Sequence, residues 1–142
     1  MRESKILEVI SMRLLKNMSF KIKVSAEVKN TEDPMKVKKS ILNIFPEIII
    51  EEKEDEIIGY SEEDGVLSRF IELTYSEAIR DSVNMVLKEG ARGDKISFSI
   101  NKQAAYAGRL NLSKESPLGP IRVKIYIKDP CEFIDKIIPK TI

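Results

Sequence analysis

The sequence has no histidine and no tryptophan, and it contains one cysteine, Cys131. A single cysteine excludes an intrachain disulfide, and without histidine there is no Cys/His cluster of the kind that binds zinc. Histidine is also the most frequent general base, so catalysis by a histidine-activated serine or cysteine is excluded. These absences predict a protein of a reducing compartment, without a cofactor and without a catalytic centre.

Long apolar runs are also missing. Acidic residues at Glu3 and Glu8 interrupt the apolar N-terminal segment, and no small-residue cleavage site follows it. No stretch approaches the roughly 18 apolar residues that a membrane-spanning helix needs. We therefore expect a cytoplasmic protein that does not associate with a membrane.

The 142 residues, 42% of them hydrophobic, are enough for one domain with one core. Charged residues make up 33% of the chain, and glutamine occurs once, at Gln103. Abundant charge and few thermolabile amides are typical of thermophile proteins, although an AT-rich genome produces a similar bias.

The net charge of +1 hides a segregation of charge along the chain. Residues 47–64 contain nine acidic residues and one lysine, whereas the other 124 residues contain 23 Lys or Arg and 14 acidic residues. This pattern predicts a basic surface with an acidic corner, which is compatible with a polyanionic partner. The alternative is an ordinary solvated exterior rich in lysine.

Hydrophobic periodicity predicts five helices and six strands. Pro34 and Pro46 bound the second helix, with Thr31 or Asp33 as its cap, and Gly90 and Gly93 end the fourth. The predicted helices cover residues 4–17, 34–45, 62–73, 76–89 and a short segment from Pro130. The predicted strands cover residues 20–28, 48–52, 57–60, 96–100, a segment around Leu110 and Leu112, and 121–127.

Several predicted strands are apolar on one side and polar on the other, which indicates a largely antiparallel sheet covered by helices on one face. The predicted fold class is therefore α+β, a single-domain two-layer sandwich. We expect residues 1–18 to form a helical extension and residues 19–142 to form the domain. The extension has an apolar stripe at Ile6, Val9, Ile10 and Leu14, and it either packs on the domain or mediates self-association.

The polar sides of the first and last strands carry most of the candidate binding residues. If these strands are neighbours, their cations form a basic patch that neutralises phosphates, and one tyrosine in the patch can stack on a base. Arg109 and Lys102 could join this patch. Its predicted members are Lys21, Lys23, Arg122, Lys124, Tyr126 and Lys128. The alternative is a solvated face whose lysines prevent edge aggregation.

The segment from Asn101 to Pro120 is rich in small and special-purpose residues. The alanines before Gly108 leave room for a close approach of a ligand, of another backbone or of a helix. Gly108 is a candidate β-bulge that directs Arg109 outward. Residues 116–120, Ser-Pro-Leu-Gly-Pro, are typical of a rigid hairpin loop.

The acidic residues at 51–56 and 62–64 are a candidate Mg²⁺ site only if their carboxylates converge. Consecutive residues of a strand point in alternating directions, so convergence is not expected. We predict a solvated turn, or a surface that docks on a basic patch of another copy of the chain.

Two motifs, Ile-Ser-Phe-Ser-Ile-Asn-Lys-Gln-Ala-Ala at 96–105 and Pro-Leu-Gly-Pro at 117–120, resemble segments of a small, mostly archaeal family of uncharacterised proteins. That family is described as RNA-binding and exosome-associated, and its fold is similar to that of the 5S-rRNA-binding protein of the large ribosomal subunit. The resemblance covers residues 20–127, so the N-terminal extension departs from it. It implies RNA as the partner and adds Asn101, Lys102, Gln103 and Arg109 as candidate RNA-binding residues.

The sequence therefore predicts a non-enzymatic RNA-binding domain that uses a basic sheet face in RNA processing or ribosome biogenesis. The alternative is a protein-interaction or self-assembly module, such as a homodimer, without nucleic-acid activity. No metal ligands and no catalytic residues are predicted.

Overall fold

The structure, a computed structural model, describes residues 2–15, 18–113 and 118–141, with side chains from residue 5 onward. The predicted end of the first helix at residues 16–17 and the predicted turn at Ser116 and Pro117 lie outside the described residues.

Strands in the described ranges form one antiparallel sheet in the order β2-β3-β1-β6-β5-β4. The first and last long strands of the chain, β1 and β6, are central neighbours. The strands are β1 (Lys21–Glu27), β2 (Ile49–Glu52), β3 (Glu56–Ser61), β4 (Ala91–Arg92), β5 (Lys95–Ile100) and β6 (Ile121–Tyr126).

Six α-helices of the described chain pack on one side of this sheet and leave the other side open. A short 3₁₀ helix, Asp64–Leu67, precedes the third. The helices are α1 (Arg2–Leu15), α2 (Pro34–Ile44), α3 (Ser68–Ser76), α4 (Arg80–Glu89), α5 (Lys102–Tyr106) and α6 (Pro130–Ile137). The predicted α+β two-layer sandwich is confirmed.

The alternation in β1 and β6 fixes which side chains enter the core. The inward positions are fully apolar and almost completely buried, whereas the outward positions are exposed, apart from Ser25, which is half-buried. Burial of an aliphatic side chain contributes about 1.5–3 kcal/mol, so a one-residue slip in register is strongly disfavoured. The inward residues are Ile22, Val24, Ala26, Ile121, Val123 and Ile125.

Helix α2 begins at the predicted residue and ends within one residue of the predicted end. The Asp33 carboxylate accepts a hydrogen bond from the Met35 N–H at 3.0 Å, and Pro34 occupies the first turn. Of the two predicted caps, Asp33 is thus the one that acts. The helix ends just before Pro46.

The boundary between α3 and α4 differs from the prediction. The predicted helix from residue 76 begins only at Arg80, because Ala78 adopts a left-handed conformation with φ of 55°. The Ile79 N–H donates to the Thr74 carbonyl at 3.1 Å, which stabilises this reversal of the chain. A positive φ at alanine has no local sequence signal, so periodicity did not reveal it.

Gly90 allows α4 to end directly against β5. A Cβ atom at this position would lie 1.8 Å from the Ser97 carbonyl oxygen, so no side chain fits without a backbone shift. The Ser97 N–H also donates to the Gly90 carbonyl at 2.9 Å. This close approach lets the chain pass from α4 directly into the β4–β5 pairing.

The segment after β5 forms α5, and the predicted strand around Leu110 and Leu112 is wrong. The Asn101 side chain caps α5 by accepting from the Ala104 N–H at 2.8 Å. Gly108, with φ of 78°, ends this helix and is not a β-bulge. Leu110 is buried in irregular backbone.

The small residues of α5 permit close packing on α2. Ala105 is fully buried, and the Asn43 amide donates to the carbonyls of Ala105 and Tyr106 at 2.9 and 3.1 Å. The sequence left open whether a ligand, another backbone or a helix approaches these small residues. In the structure it is helix α2 that approaches them.

Helix α1 packs on α3 and α6 through a face that mixes polar and apolar residues, with Met12 against the core. Ser11 and Leu15 are buried, and the Ser11 hydroxyl lies 3.0 Å from the Tyr75 hydroxyl. Three members of the apolar stripe, Ile6, Val9 and Ile10, are instead 59%, 41% and 45% exposed. The helix therefore packs on the domain and still presents an apolar surface.

Candidate nucleic-acid interface

The open side of the sheet brings the predicted basic residues of β1 and β6 together. Because β1 and β6 are antiparallel neighbours, Lys21 lies opposite Tyr126, Lys23 opposite Lys124, and Ser25 opposite Arg122. The four cations and Tyr126 are all exposed. We call this side of the sheet, from β3 to β5, the open face.

Lys23 and Lys124 form a like-charge pair at the centre of the open face. They are directly opposed across β1 and β6, an arrangement that destabilises a sheet. In the described part of the chain, no carboxylate lies within ion-pair distance of either ammonium group. The repulsion is therefore uncompensated, and a bound anion would relieve it.

An opposed pair of acids at the end of β1 is, by contrast, compensated. Glu27 lies opposite Glu56, but Lys29 Nζ is 2.6 Å from the Glu27 carboxylate and Arg122 Nη1 is 4.0 Å away. The hydrogen bond from Lys29 is the main cause that lowers the pKa of Glu27. The lysine pair at the centre of the sheet has no such counterion among the described residues.

The outer cations of the patch have weak acidic partners. Lys21 Nζ lies 3.4 Å from the Glu62 carboxylate, and both side chains are about 70% exposed. Exposed ion pairs of this kind contribute about 0–1 kcal/mol, so a phosphate can replace the carboxylate at little cost. Lys21 and Arg122 thus remain available to an anionic ligand.

Periodicity alone missed two residues of the open face. Tyr60 on β3 lies opposite Lys23, and Lys95 on β5 lies opposite Tyr126. Lys95 alternates in step with Ser97 and Ser99, so the pattern of β5 already indicated that it lies on the polar side of the strand. No pattern indicated that Tyr60 lies beside Lys23, because the order of the strands in the sheet decides whether β3 borders β1.

Other predicted candidates lie away from the open face. Lys102 is 3% exposed, and its ammonium donates to the Glu27 carbonyl, the Leu118 carbonyl and the Glu32 carboxylate at 2.8, 2.7 and 3.0 Å. It therefore does not join the basic patch. Asn101 serves as the cap of α5.

Gln103, Arg109 and Lys128 are exposed but lie elsewhere. Gln103 is on α5, in the helical layer. Arg109 follows Gly108 at the end of that helix, and the next residue, Leu110, donates its N–H to the Glu77 carboxylate beyond α3. Lys128 lies past the end of β6, in the bend that precedes α6. An RNA-binding role for these three residues stays a prediction.

The acidic residues of segment 47–64 occupy the β2–β3 edge of the sheet and the turn before the 3₁₀ helix. Across the residues that the structure describes, no three of the His, Cys, Asp or Glu side chains come together as metal ligands would. The described helices also include none that is both long and apolar enough to cross a membrane.

The fold and the open face define an α+β protein with a one-sided antiparallel sheet whose uncovered side is basic. A family model described as RNA binding matches residues 21–127, and the chain belongs to this family. The match begins at the first residue of β1 and ends one residue after β6. It includes the whole open face and omits α1.

Relatives of this family are archaeal UPF0201 proteins, as the sequence motifs indicated. The chain is 42% identical over 124 residues to one from Thermococcus kodakarensis, covering 84% of this chain and 90% of the relative. It is 40% identical over 121 residues to one from Methanothermobacter thermautotrophicus, with 84% and 91% covered. The crystal structure of a UPF0201 protein from Methanococcus jannaschii superposes with a TM-score of 0.78 at 36% identity, covering 86% of this chain and 95% of that chain.

These comparisons confirm the predicted family. They do not bear on an association with the exosome or on a likeness to the 5S-rRNA-binding ribosomal protein, which stay predictions.

Proposed function

We propose that this protein is a non-enzymatic RNA-binding protein and that the open face is its RNA-binding surface. The observation that carries the proposal is the opposed pair of Lys23 and Lys124, which has no acidic partner in the described chain. An uncompensated cationic pair lowers stability, and a phosphate bound between the two ammonium groups removes the repulsion. The family match supports RNA as the source of that phosphate.

The proposed role is binding without catalysis. The chain has no histidine to act as a base, and Cys131 is an exposed free thiol at the start of α6. A protein that binds RNA through a sheet face fits a supporting role in RNA processing or ribosome biogenesis, which we include in the proposal.

The proposal predicts a steep dependence of RNA binding on salt. Five cations lie on the open face, namely Lys21, Lys23, Lys95, Arg122 and Lys124. If each neutralises one phosphate of a single strand, the slope of log K against log salt is about −3.5. Fluorescence anisotropy with a labelled RNA, between about 50 and 300 mM salt, measures this slope.

A matched DNA strand is the control for sequence-independent attraction to phosphate. No measurable RNA binding at the lowest salt would contradict the proposed function. A slope near zero would contradict the proposed surface, because it would show that the lysines of the open face do not contact phosphates.

A second candidate function is self-association through α1. The specific observation is the exposed apolar stripe of Ile6, Val9 and Ile10, which lies outside the family match. Two copies related by a twofold axis would bury the same stripe on both sides, so no other partner is required. The open face is on the opposite layer and would remain free in such a dimer.

The variant Ile6→Glu/Ile10→Glu tests this candidate. Charged residues in the stripe cannot be buried without a partner, so the variant is expected to be monomeric where the wild type is dimeric. Light scattering coupled to size exclusion gives the mass. Lys39→Glu on α2 is the control, since it changes the net charge by the same amount. A monomeric wild type would rule this candidate out.

A further inference from the structure

A groove on the open face lies between the two exposed tyrosines. Tyr60 on β3 and Tyr126 on β6 both line it, and Lys21 and Lys23 of the intervening strand β1 form part of its lining. Ile49 on β2 closes one side. Its volume is 540 Å³, within the range of sites that hold small organic groups. We call it the tyrosine groove.

Apolar and aromatic surface in this groove is unusually exposed for a sheet face. Tyr60 is 40% exposed, Tyr126 is 43% exposed and Ile49 is 72% exposed. The described helices pack on the other side of the sheet, so none of them covers these side chains. A flat aromatic ligand would remove this surface from water.

The charges around the tyrosine groove indicate which aromatic ligand fits it. Lys21, Lys23, Glu62 and Glu63 all line the groove, and Lys124 and Lys95 lie on the neighbouring strands opposite Lys23 and Tyr126. Glu62 forms the exposed ion pair with Lys21, whereas Lys23 and Lys124 have no carboxylate partner in the described chain. These unpaired cations favour a ligand that carries anionic groups beside its aromatic rings. A nucleotide chain has this composition, with phosphates at the spacing of its bases.

The exposed tyrosines favour a single-stranded nucleic acid over a duplex. In a duplex each base face is covered by its neighbours, so a side chain on a sheet cannot stack on it. Bases of a single strand can turn outward and stack on exposed aromatic rings. A duplex would use the lysines of the open face but not the tyrosines.

We infer that the tyrosine groove binds unpaired bases of single-stranded RNA, which stack on Tyr60 and on Tyr126, while the lysines of the open face hold the adjacent phosphates. This inference rests on the proposed function and deepens it by naming the class of RNA.

The variants Tyr60→Leu and Tyr126→Leu test the inference, because leucine keeps apolar bulk and removes the aromatic ring. Single-stranded RNA of about ten nucleotides is expected to bind each variant about 5- to 150-fold more weakly than the wild type. The corresponding Phe variants keep the ring and should bind as the wild type does. Tyr106→Leu on α5 is the matched control, since Tyr106 is also 40% exposed but lies in the helical layer.

A duplex of the same length is measured in parallel, and its affinity should be equal for all variants. The salt slope should also stay constant, since no phosphate contact is removed. The chain has no tryptophan and four tyrosines, two of which line the groove, so part of its intrinsic tyrosine emission reports stacking there. We expect single-stranded RNA to quench this emission in the wild type and less so in each Leu variant.

Unchanged single-strand affinity in both Leu variants would overturn the inference. Equal losses for single strand and duplex would overturn it as well, because stacking cannot account for them. If the Leu variants bind normally and Lys23→Glu/Lys124→Glu does not bind, the base site fails and the RNA-binding face stands. If the wild type binds no RNA, the proposed function itself fails.

Discussion

The double variant Lys23→Glu/Lys124→Glu is expected to lose RNA affinity by at least about 100-fold. Each lysine contributes a charge-assisted contact with phosphate, worth about 1.5–3 kcal/mol, and each glutamate adds repulsion. The pair lies at the centre of the open face, where neither ammonium has an acidic partner among the described residues. Anisotropy at about 100 mM salt measures the loss, and the salt slope should become less steep by about 1.4.

The matched control is Lys36→Glu/Lys39→Glu. These lysines are exposed on α2, within the helical layer, and the change in net charge is the same. We expect a small loss of affinity, because long-range attraction between exposed charges is screened at this salt concentration. Equal losses in the two double variants would show that binding follows net charge and not the open face.

The single variant Lys23→Glu separates function from stability. It converts the like-charge pair into an opposed ion pair with Lys124, which should raise the free energy of unfolding by about 0.2–1 kcal/mol. The same change should weaken RNA binding. A variant that is more stable and binds less tightly shows that the lysine pair is kept for binding. A loss of stability would contradict this interpretation of the pair.

Replacement of Lys102 by methionine is expected to lower the free energy of unfolding by about 3–5 kcal/mol. The ammonium joins three segments, the end of β1 at Glu27, the residue Glu32 before α2, and Leu118 before β6. The Lys102 and Glu32 side chains are only 4% and 8% exposed. Without the ammonium, the Glu32 carboxylate is left buried with too few donors, which costs more than the loss of the pair itself.

Urea denaturation of Lys102→Met and of Lys102→Met/Glu32→Gln measures this effect. The double variant should be more stable than the single variant, because the neutral amide is cheaper to bury than an unpaired carboxylate. RNA affinity of the folded single variant should match that of the wild type. A loss of less than about 1 kcal/mol in the free energy of unfolding would show that Lys102 and Glu32 do not hold the three segments together.

Much of the fold could be predicted from local pattern. The alternation in β1, β5 and β6 indicated their buried and exposed sides, and the structure has the same sides. Capping at Asp33 and the stop before Pro46 defined α2 to within a residue. These features depend on neighbours in the sequence, so the sequence contains their full signal.

Other elements could not be predicted, because their signals are ambiguous or distant. The residues after Asn101 contain small side chains that fit a close ligand as well as a helix, and contact with α2 decides for the helix. The sequence showed the apolar stripe of α1. Whether the stripe faces the core or the solvent depends on how α1 packs on α3 and α6.

The sequence by itself determined the two faces of the central strands, the excess of cations outside segment 47–64, and the family. Only the tertiary structure decided which cations lie together on one face. Strand order placed Tyr60 and Lys95 on the open face beside Lys23 and Tyr126, and it buried Lys102 between three distant segments. The physical reason is that periodicity reports the side of a strand, whereas neighbours across a sheet are set by pairing between residues far apart in the chain.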